Sequence, residues 1–305
     1  MILVTGATGL SGSAVIREFA RQKTQVKALV RNRAKAHWME AIPTVEIVEG
    51  DMRRPEILST VLSGVDRVLM ISSASEQMLE TQCEFIDISK KLGVRHIVKF
   101  SGKESGIGFD SNNFHSTWEH EQIESYLEAS GLAWTHLRPS QFMQFYFPQS
   151  LTGVEMAESA LFLPMENAKL SPVDVEDIAK VAFALLRDEG HEGKRYDMTG
   201  PEALTMADVA ARLSQSIGKN VRYVNITLEE KKQVWLSAGI PQARIEVVSG
   251  LLSERRKYTE SRVYLGTHEA FGVHPTTFAE FASRNADIFR GQTLAASESR
   301  LTESA

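Results

Sequence analysis

MILVTGATGLSG, residues 1–12, is the stretch that decides the fold of this 305-residue chain. Residues 2–4 are an apolar run typical of a buried strand, and residues 13–20 follow with the apolar spacing of a helix. Between them, glycines 6, 9 and 12 permit a tight turn, and the helix N-terminus behind them attracts a pyrophosphate. The stretch therefore predicts a dinucleotide-binding turn with contacts from Gly6, Thr8, Gly9, Leu10, Ser11 and Gly12. An ordinary glycine-rich turn is the alternative interpretation.

Composition excludes several classes of protein. The chain is 43% hydrophobic with a net charge of −5, so it can bury a full core and has no signature of nucleic-acid binding. Its one cysteine, Cys83, excludes an intramolecular disulfide and a cysteine-rich zinc site, and no metal site is predicted. No apolar run reaches transmembrane length and no signal peptide precedes the first strand, so we expect a cytoplasmic protein that does not contact membranes.

Predicted strands alternate with predicted helices along the first half of the chain. The strands are residues 2–4, 26–30, 45–48, 67–71, 95–100 and 133–137, and a strand at 195–199 is expected to return to the same sheet. This alternation predicts an α/β fold, a Rossmann-type doubly wound parallel sheet with a smaller, mostly helical C-terminal substrate lobe. We place the dinucleotide-binding domain at residues 1–140, the lobe at 141–290 and a flexible tail at 291–305.

The second and third strands end in residues suited to the adenosine half of a dinucleotide. Arg31 follows the second strand, where an arginine accommodates the 2′-phosphate of NADP and an acid would hold the 2′-hydroxyl of NAD. This position predicts NADP(H) as the cofactor; a solvated basic turn is the alternative. Asp51, followed by Met52, ends the third strand. It can accept a hydrogen bond from adenine, cap the helix predicted at 55–62, or do both.

The other strand ends predict further ligand contacts, because open α/β sheets bind ligands beyond the carboxyl ends of their strands. The expected cofactor contacts there are Ile71, Ser72, Ser73, Phe100, Ser101 and Pro139. An aromatic segment follows the sixth strand and fits a wall beside a nicotinamide and an apolar substrate. Its expected substrate contacts are Phe142, Met143 and Phe145. Plain interlobe core is the alternative for this segment.

A helix predicted at 112–130 carries the candidate catalytic histidine, His120. His120 continues the apolar stripe of this helix one turn toward the expected ligand edge. Glu124, four residues later, can reach His120 and hold its tautomer, so that His120 donates a proton or hydrogen bond to a developing oxyanion. Ser101 is a weaker candidate for the same role. The alternative is a half-buried histidine whose hydrogen bonds are structural.

Two familiar catalytic motifs are missing from the sequence. None of the tyrosines, at positions 126, 146, 196, 223, 258 and 264, is followed by a lysine four residues later. The Tyr-x-x-x-Lys proton relay of typical short-chain dehydrogenases is therefore absent. A sugar-nucleotide epimerase uses this fold but normally needs the same motif, so that activity is disfavoured. The sequence also has no G-x-S-x-G nucleophile elbow.

The chain resembles the NmrA-like family, whose members are atypical relatives of the short-chain dehydrogenases. The resemblance rests on TGATGLSG at 5–12, Arg31, EGD at 49–51, HEQIE at 120–124, SGLAWTHLRPS at 130–140 and HPTTFAEFA at 274–282. It covers nearly the whole chain and is strongest to the bacterial branch that contains quinone oxidoreductases and triphenylmethane reductase.

The resemblance implies NADP(H) binding at the positions given above. Together with the candidate site, it predicts an NADPH-dependent reductase of an apolar aromatic carbonyl, quinone or conjugated substrate. A related isoflavone-reductase branch has a catalytic lysine at about the place of His120, so that lysine mechanism does not carry over unchanged. The family also contains NADP-sensing regulators, and a sensor without turnover is the alternative function. The expected partner is a small apolar substrate, with no nucleic acid and no membrane; a homodimer is left open.

Overall fold

A computed structural model describes residues 1–72 and 77–291, and its centre is a parallel sheet. The described residues form nine strands: β1 (Ile2–Val4), β2 (Val26–Val30), β3 (Val45–Glu49), β4 (Arg67–Met70), β5 (His96–Phe100), β6 (Ala133–Pro139), β7 (Ala160–Leu163), β8 (Lys194–Met198) and β9 (Arg222–Asn225). Seven of them pair in the order β3-β2-β1-β4-β5-β6-β8, all parallel. This confirms the predicted doubly wound fold, and the order reverses between β1 and β4, where such sheets bind ligands.

Helices cover both faces of the sheet. The described residues form twelve: α1 (Leu10–Arg21), α2 (His37–Glu40), α3 (Pro55–Val61), α4 (Met78–Lys91), α5 (His115–Ala129), α6 (Val175–Arg187), α7 (Met206–Ile217), α8 (Leu228–Ser237), α9 (Gln242–Arg255), α10 (Gly266–Phe271), α11 (Phe278–Arg284) and α12 (Ala286–Phe289). Helices α1 and α6 pack on one face, and α3, α4 and α5 pack on the other. The sheet is therefore buried on both sides, as a parallel sheet requires.

Successive strand residues enter opposite cores because side chains alternate across a sheet. Leu3 and Val68 lie in the core beneath α3, α4 and α5, whereas their chain neighbours Val4 and Leu69 lie in the core beneath α1 and α6. All four side chains are fully buried. The continuous apolar runs recognised in the sequence are thus the signature of strands with no solvent-facing side.

A second lobe follows the sixth strand and is mostly helical, as predicted. Its core is built from α7, α9, α11 and α12 together with aromatic side chains from the segment after β6. A two-stranded parallel sheet of β7 and β9 also belongs to it. Sequence reasoning missed these two strands, because each has four residues and pairs with a partner some 60 positions away. It also missed α9.

Strand β8 returns to the main sheet and pairs with β6. The sheet therefore contains strands from both sides of residue 140, and the domain boundaries stay a prediction.

Helix α5 begins at His115, later than expected, because Asp110 accepts hydrogen bonds from the backbone N–H of Asn112 and the side chain of Asn113 in a preceding turn. Helix α11 is capped by Thr277, whose side chain accepts a hydrogen bond from the backbone N–H of Glu280.

Two predictions lie outside the described residues: the cofactor contact Ser73 and the tail beyond residue 291. Across residues 1–72 and 77–291, no helix is long and apolar enough to cross a membrane. The cytoplasmic location and the homodimer stay predictions from the sequence.

A buried ion pair joins the loop after β5 to α9 of the second lobe. The guanidinium of Arg255 donates to both carboxylate oxygens of Glu104 at 3.2 and 3.0 Å. Only 3% of the Arg255 side chain and 11% of the Glu104 side chain are exposed. Because neither charge is solvated, each depends on the other for compensation.

Replacing Glu104 by alanine should therefore destabilise the protein strongly. The change leaves the Arg255 charge buried without its partner, and we expect a loss of about 3–5 kcal/mol in the free energy of unfolding. Lys169→Ala is the control, because Lys169 pairs with an exposed carboxylate, Glu260, and should cost at most about 1 kcal/mol. Urea denaturation of both variants measures the difference, and similar losses would contradict a structural role for the buried pair.

Candidate functional site

The glycine turn between β1 and α1 is held by contacts that leave no room for side chains. Gly6 has a φ of +59°, and a Cβ there would lie 3.1 Å from the carbonyl oxygen of Ile71. A Cβ at Gly12 would lie 2.2 Å from the carbonyl oxygen of Gly6. Gly9 precedes α1 with extended backbone and no side-chain cap. The first turn of α1 therefore keeps the uncapped, close-packed form that a diphosphate site requires.

The end of β4 is tied to this turn. Thr5 donates its hydroxyl to the carbonyl of Ile71 at 2.7 Å and accepts a hydrogen bond from the Ile71 N–H at 2.8 Å. The next residue, Ser72, accepts a hydrogen bond from the side-chain amide of Gln82 on α4 at 2.8 Å. Of the other predicted contacts around the turn, Thr8 is half-buried, whereas Leu10 and Ser11 are buried. Strand β4 thus delivers Ile71 and Ser72 beside the glycine turn.

The adenosine end of the predicted site contains Arg31 and Asp51, which follow adjacent strands β2 and β3. Arg31 is exposed and forms no ion pair among the described residues, whereas Arg33 pairs with Glu40 at 3.2 Å. The prediction that Asp51 caps α3 is wrong. Arg53 donates its backbone N–H and its guanidinium to the Asp51 carboxylate, at 3.0 and 2.6 Å. These bonds lower the pKa of Asp51, and the Arg31 charge adds to the effect.

Aromatic side chains line the region where β5 and β6 end. The rings of Phe100 and Phe142 are 6.1 Å apart, and those of Phe142 and Phe145 are 5.2 Å apart. All three are partly exposed. Met143 differs, because it is buried to 1% exposure in the core of the second lobe. For Met143 the structure favours the interlobe-core alternative, while the three phenylalanines form a wall that a ligand can reach.

Strand β6 ends at Pro139, which is buried, and Met52 after β3 is buried as well. Ser101, after β5, is fully buried. These three residues therefore lie beneath the surface of the ligand edge.

His120 lies on α5 with its two ring nitrogens in different surroundings. Its Nδ1 is 3.1 Å from Nζ of Lys99, the penultimate residue of β5. Its other nitrogen, Nε2, would be 2.6 Å from a Cβ at Gly102, so this edge of the ring lies against the exposed backbone of that glycine. Burial, then the charges of Lys99 and Lys103, hold the pKa of His120 well below its usual value. The imidazole is therefore neutral at physiological pH.

Glu124 does not fix the tautomer of His120, contrary to the prediction. It forms a two-point ion pair with Arg138 on β6, with a distance of 3.0 Å from Nε to Oε1. Burial opposes ionisation of Glu124, but the bonds from Arg138, and then the nearby hydroxyl of Ser101, outweigh it and lower the pKa of the carboxyl. Helical spacing placed Glu124 within reach of His120, but the guanidinium on the neighbouring strand offers two charge-assisted bonds.

Lys99 is a residue of the candidate site that sequence reasoning missed. Its side chain is fully buried, and burial lowers its pKa to about 7 from 10.5. Nζ lies 3.0 Å from Oε1 of Gln82, 3.3 Å from the carbonyl oxygen of Phe100 and 3.1 Å from His120. A signal was present in the sequence, since a lysine in the otherwise apolar strand HIVKF must be buried if the strand is central.

Comparison with known proteins identifies the family to which this site belongs. The model of the NmrA-like family matches residues 1–282. The chain belongs to the NmrA-like family. The NAD(P)H azoreductase of Xenophilus azovorans is 36% identical over 289 residues, which are 95% of this chain and 99% of the relative. The family resemblance found in the sequence is thereby confirmed.

Two solved structures resemble this NmrA-like protein over nearly its whole length. Citrobacter sp. triphenylmethane reductase, complexed with NADP(H), has a TM-score of 0.80 at 25% identity, over 94% of this chain and 100% of the other. The NADPH-dependent quinone oxidoreductase of Escherichia coli, complexed with NADPH, has a TM-score of 0.79 at 27% identity, over 93% and 99%. The fold class expected from the sequence is thus shared with reductases that bind this cofactor.

The contact between His120 and Gly102 yields a prediction about turnover. In Gly102→Ala the new methyl group would displace the imidazole, so turnover should fall about tenfold or more if His120 acts as an acid. The NADPH dissociation constant should change less than about threefold, because Gly102 is not part of the glycine turn or the Arg31 site that would hold the cofactor phosphates. Steady-state kinetics and fluorescence titration measure the two effects.

Gly266→Ala is the matched control, because a Cβ there meets no atom within 4 Å. It should leave both quantities unchanged. Normal turnover in Gly102→Ala would show that the position of His120 does not matter for the reaction.

Proposed function

We propose that this protein is an NADPH-dependent reductase that transfers hydride to an apolar aromatic substrate. The observation that carries the proposal is the place of His120 at the ligand edge of the sheet, half-buried, with Nε2 against the exposed backbone of Gly102. A cofactor sensor needs the glycine turn but has no use for a hydrogen-bond donor at this edge. Membership of a family whose matched relatives include an azoreductase, a quinone oxidoreductase and a triphenylmethane reductase supports the same function.

The residues present fit NADP(H). Gly6, Gly9 and Gly12 would hold the diphosphate at the first turn of α1, because a side chain at Gly12 would collide with the turn. Arg31 would bind the 2′-phosphate with its exposed guanidinium, and Asp51 would lie beside the adenine. The ends of β4, β5 and β6 would line the nicotinamide.

The substrate class follows from the aromatic wall. Phe100, Phe142 and Phe145 offer ring faces and edges to a flat, apolar molecule, and aromatic groups pack on one another in offset or edge-on geometry. The matched relatives are named for azo compounds, quinones and triphenylmethanes, which are all extended conjugated systems. We therefore propose a conjugated aromatic acceptor, such as a quinone or an aromatic carbonyl compound.

His120 has a defined task in such a reaction. The cofactor supplies a hydride, which leaves negative charge on the oxygen of a carbonyl or quinone substrate. His120 would stabilise this oxygen through Nε2–H, and the phenylalanine wall would exclude water. Ser101 stays the weaker candidate, since its hydroxyl is fully buried beside Glu124. Glu124 holds Arg138 in place and has no direct part in the transfer.

A substrate panel tests the proposal against the sensor alternative. NADPH oxidation should be followed with quinones, aromatic aldehydes, enones and cationic dyes, with NADH run in parallel. We expect turnover on at least one class. No turnover, with NADPH binding established by fluorescence, would favour a sensor. No turnover and no binding would contradict the assignment of residues 1–12 to the cofactor.

Arg31→Ala tests the preference for NADPH. The variant loses charge-assisted hydrogen bonds to the 2′-phosphate, worth about 1.5–3 kcal/mol. NADPH affinity should fall roughly ten- to a hundredfold, whereas NADH affinity should barely change. Arg33→Ala is the control, since Arg33 is engaged with Glu40 and should affect neither cofactor strongly. Equal losses for NADPH and NADH in Arg31→Ala would contradict the 2′-phosphate assignment.

A further inference from the structure

Lys99 is an unusual buried cation because no carboxylate in residues 1–72 and 77–291 pairs with it. Across the described residues, the other deeply buried cations have such a partner: Lys231 pairs with Glu155 at 3.1 Å, and Arg255 pairs with Glu104. The three groups around Nζ of Lys99 are a side-chain amide, a backbone carbonyl and an imidazole, all neutral. An ammonium buried in this way is expensive to keep charged. A lysine that served only to stabilise the fold would be expected to have a counter-charge.

The hydrogen bonds around Lys99 match the ammonium form. Gln82 donates its amide N–H to Ser72, so its oxygen, Oε1, faces Lys99 as an acceptor. The carbonyl of Phe100 is a second acceptor and Nδ1 of His120 is the third. Three acceptors surround a group with three N–H donors. In this state His120 carries its own hydrogen on Nε2, the atom beside Gly102.

The same contacts also suit the neutral amine. A neutral lysine has two N–H donors and one lone pair, so Gln82 and Phe100 can keep their hydrogen bonds. The lone pair then accepts a hydrogen bond from Nδ1–H of His120. A proton moved across the 3.1 Å between Nζ and Nδ1, together with loss of the Nε2 proton of His120, converts the first arrangement into the second. In both arrangements every donor and lone pair of Nζ has a partner among these three groups.

We propose that Lys99 is the proton source of the active site, and that His120 relays its proton to the reduced substrate; this rests on the proposed reductase function. Hydride from the nicotinamide cofactor reduces a carbonyl or quinone and leaves an oxyanion. The oxyanion takes the proton of His120 Nε2 and forms an O–H bond. Lys99 gives a proton from Nζ to Nδ1, so the imidazole stays neutral throughout. Lys99 becomes a neutral amine, which is reprotonated from solvent before the next cycle.

The relay resolves a difficulty of His120 acting alone. With its pKa held well below the usual value, the imidazole is already neutral and would become an imidazolate if it lost a proton without replacement. Lys99, with a pKa lowered to about 7, is an acid of suitable strength. The transfer also neutralises the oxyanion and the buried ammonium together, so neither charge is left in the site without the other.

The groups that face the pair do not titrate near neutrality. Burial raises the pKa of the Cys83 thiol on α4 to about 11, and burial lowers that of His136 on β6 to about 4. The remaining charges are held in ion pairs: Lys103 of the loop after β5 with Glu121 of α5, and Arg138 of β6 with Glu124 of α5. Lys99 is thus the group in this cluster that changes charge around pH 7.

The first test uses two kinds of substrate and two variants of Lys99. Reduction of a quinone or aromatic aldehyde needs hydride and a proton, whereas a cationic triphenylmethane dye is neutralised by hydride alone. Lys99→Met should lower kcat for the first kind about 10- to 100-fold and leave dye reduction within about twofold. Lys99→Arg should show the same loss of kcat for quinones and aldehydes and the same unchanged dye reduction, because a guanidinium donates a hydrogen bond to Nδ1 but cannot release its proton. Unchanged dye turnover also shows that each variant is folded.

The wild-type pH profile should differ between the two kinds of substrate. Lys99 is charged below its pKa of about 7, so proton-requiring turnover should be full at lower pH and fall as the pH rises through 7. Dye turnover should stay flat. Equal losses for both substrates in Lys99→Met, or identical pH profiles, would overturn the relay. So would a wild-type enzyme that reduces dyes but no quinone or aldehyde.

The second test does not depend on turnover. Nitrogen-15 NMR of His120 in the wild-type protein should show Nε2–H at low pH and a shift toward Nδ1–H as the pH passes about 7, without formation of imidazolium. Lys99→Met should abolish this change, and Lys103→Met, the control for a nearby positive charge, should keep it. A single tautomer from pH 6 to 9 in the wild type would overturn the proposal. The tautomer change with no turnover on any substrate would instead refute the reductase function and, with it, proton delivery to substrate.

Discussion

The approach of the glycine turn to the end of β4 is the contact on which the rest of this structure depends. Thr5 bonds both the N–H and the carbonyl of Ile71, and Gly12 lies so close to Gly6 that any side chain would collide. This contact lies between the ends of β1 and β4, where the strand order reverses. Parallel pairing then brings the ends of β5 and β6 to the same edge, so that the glycine turn, the aromatic wall and the histidine lie along one edge of the sheet.

Two kinds of buried charge have different roles near this edge of the sheet. Glu104 with Arg255, and Glu124 with Arg138, are paired and hold loop, helix and strand in register. Lys99 is buried as deeply but is surrounded by neutral acceptors. A paired charge resists titration, whereas an ammonium held only by neutral groups releases its proton readily. The contrast separates the residues that support the site from the one suited to proton transfer.

The arrangement also explains how a site without Tyr-x-x-x-Lys can support reduction. Conjugated acceptors stabilise the negative charge that follows hydride transfer. Orientation of the substrate against the cofactor and exclusion of water can therefore supply much of the rate acceleration. Where a proton is needed, a lysine on β5 and a histidine on α5 meet across the sheet edge at 3.1 Å. A lysine and an acid–base partner are thus present, but they come from two elements 21 residues apart and not from one helix.

The sequence by itself determined the fold class and the family, and it predicted the cofactor turn, because these depend on local spacing: a strand, three glycines, a helix and the residues that end each strand. It also located Arg31 and His120, since each follows from strand order or helical period. The partners of those residues were decided only by tertiary structure. Glu124 was expected to bind His120 and instead binds Arg138; Asp51 binds Arg53; Met143 lies in the core; and Lys99 occupies the place beside His120. Periodicity says which face a side chain takes, but its hydrogen-bond partner is chosen by competition among groups brought together from distant parts of the chain, and burial then sets the pKa of each.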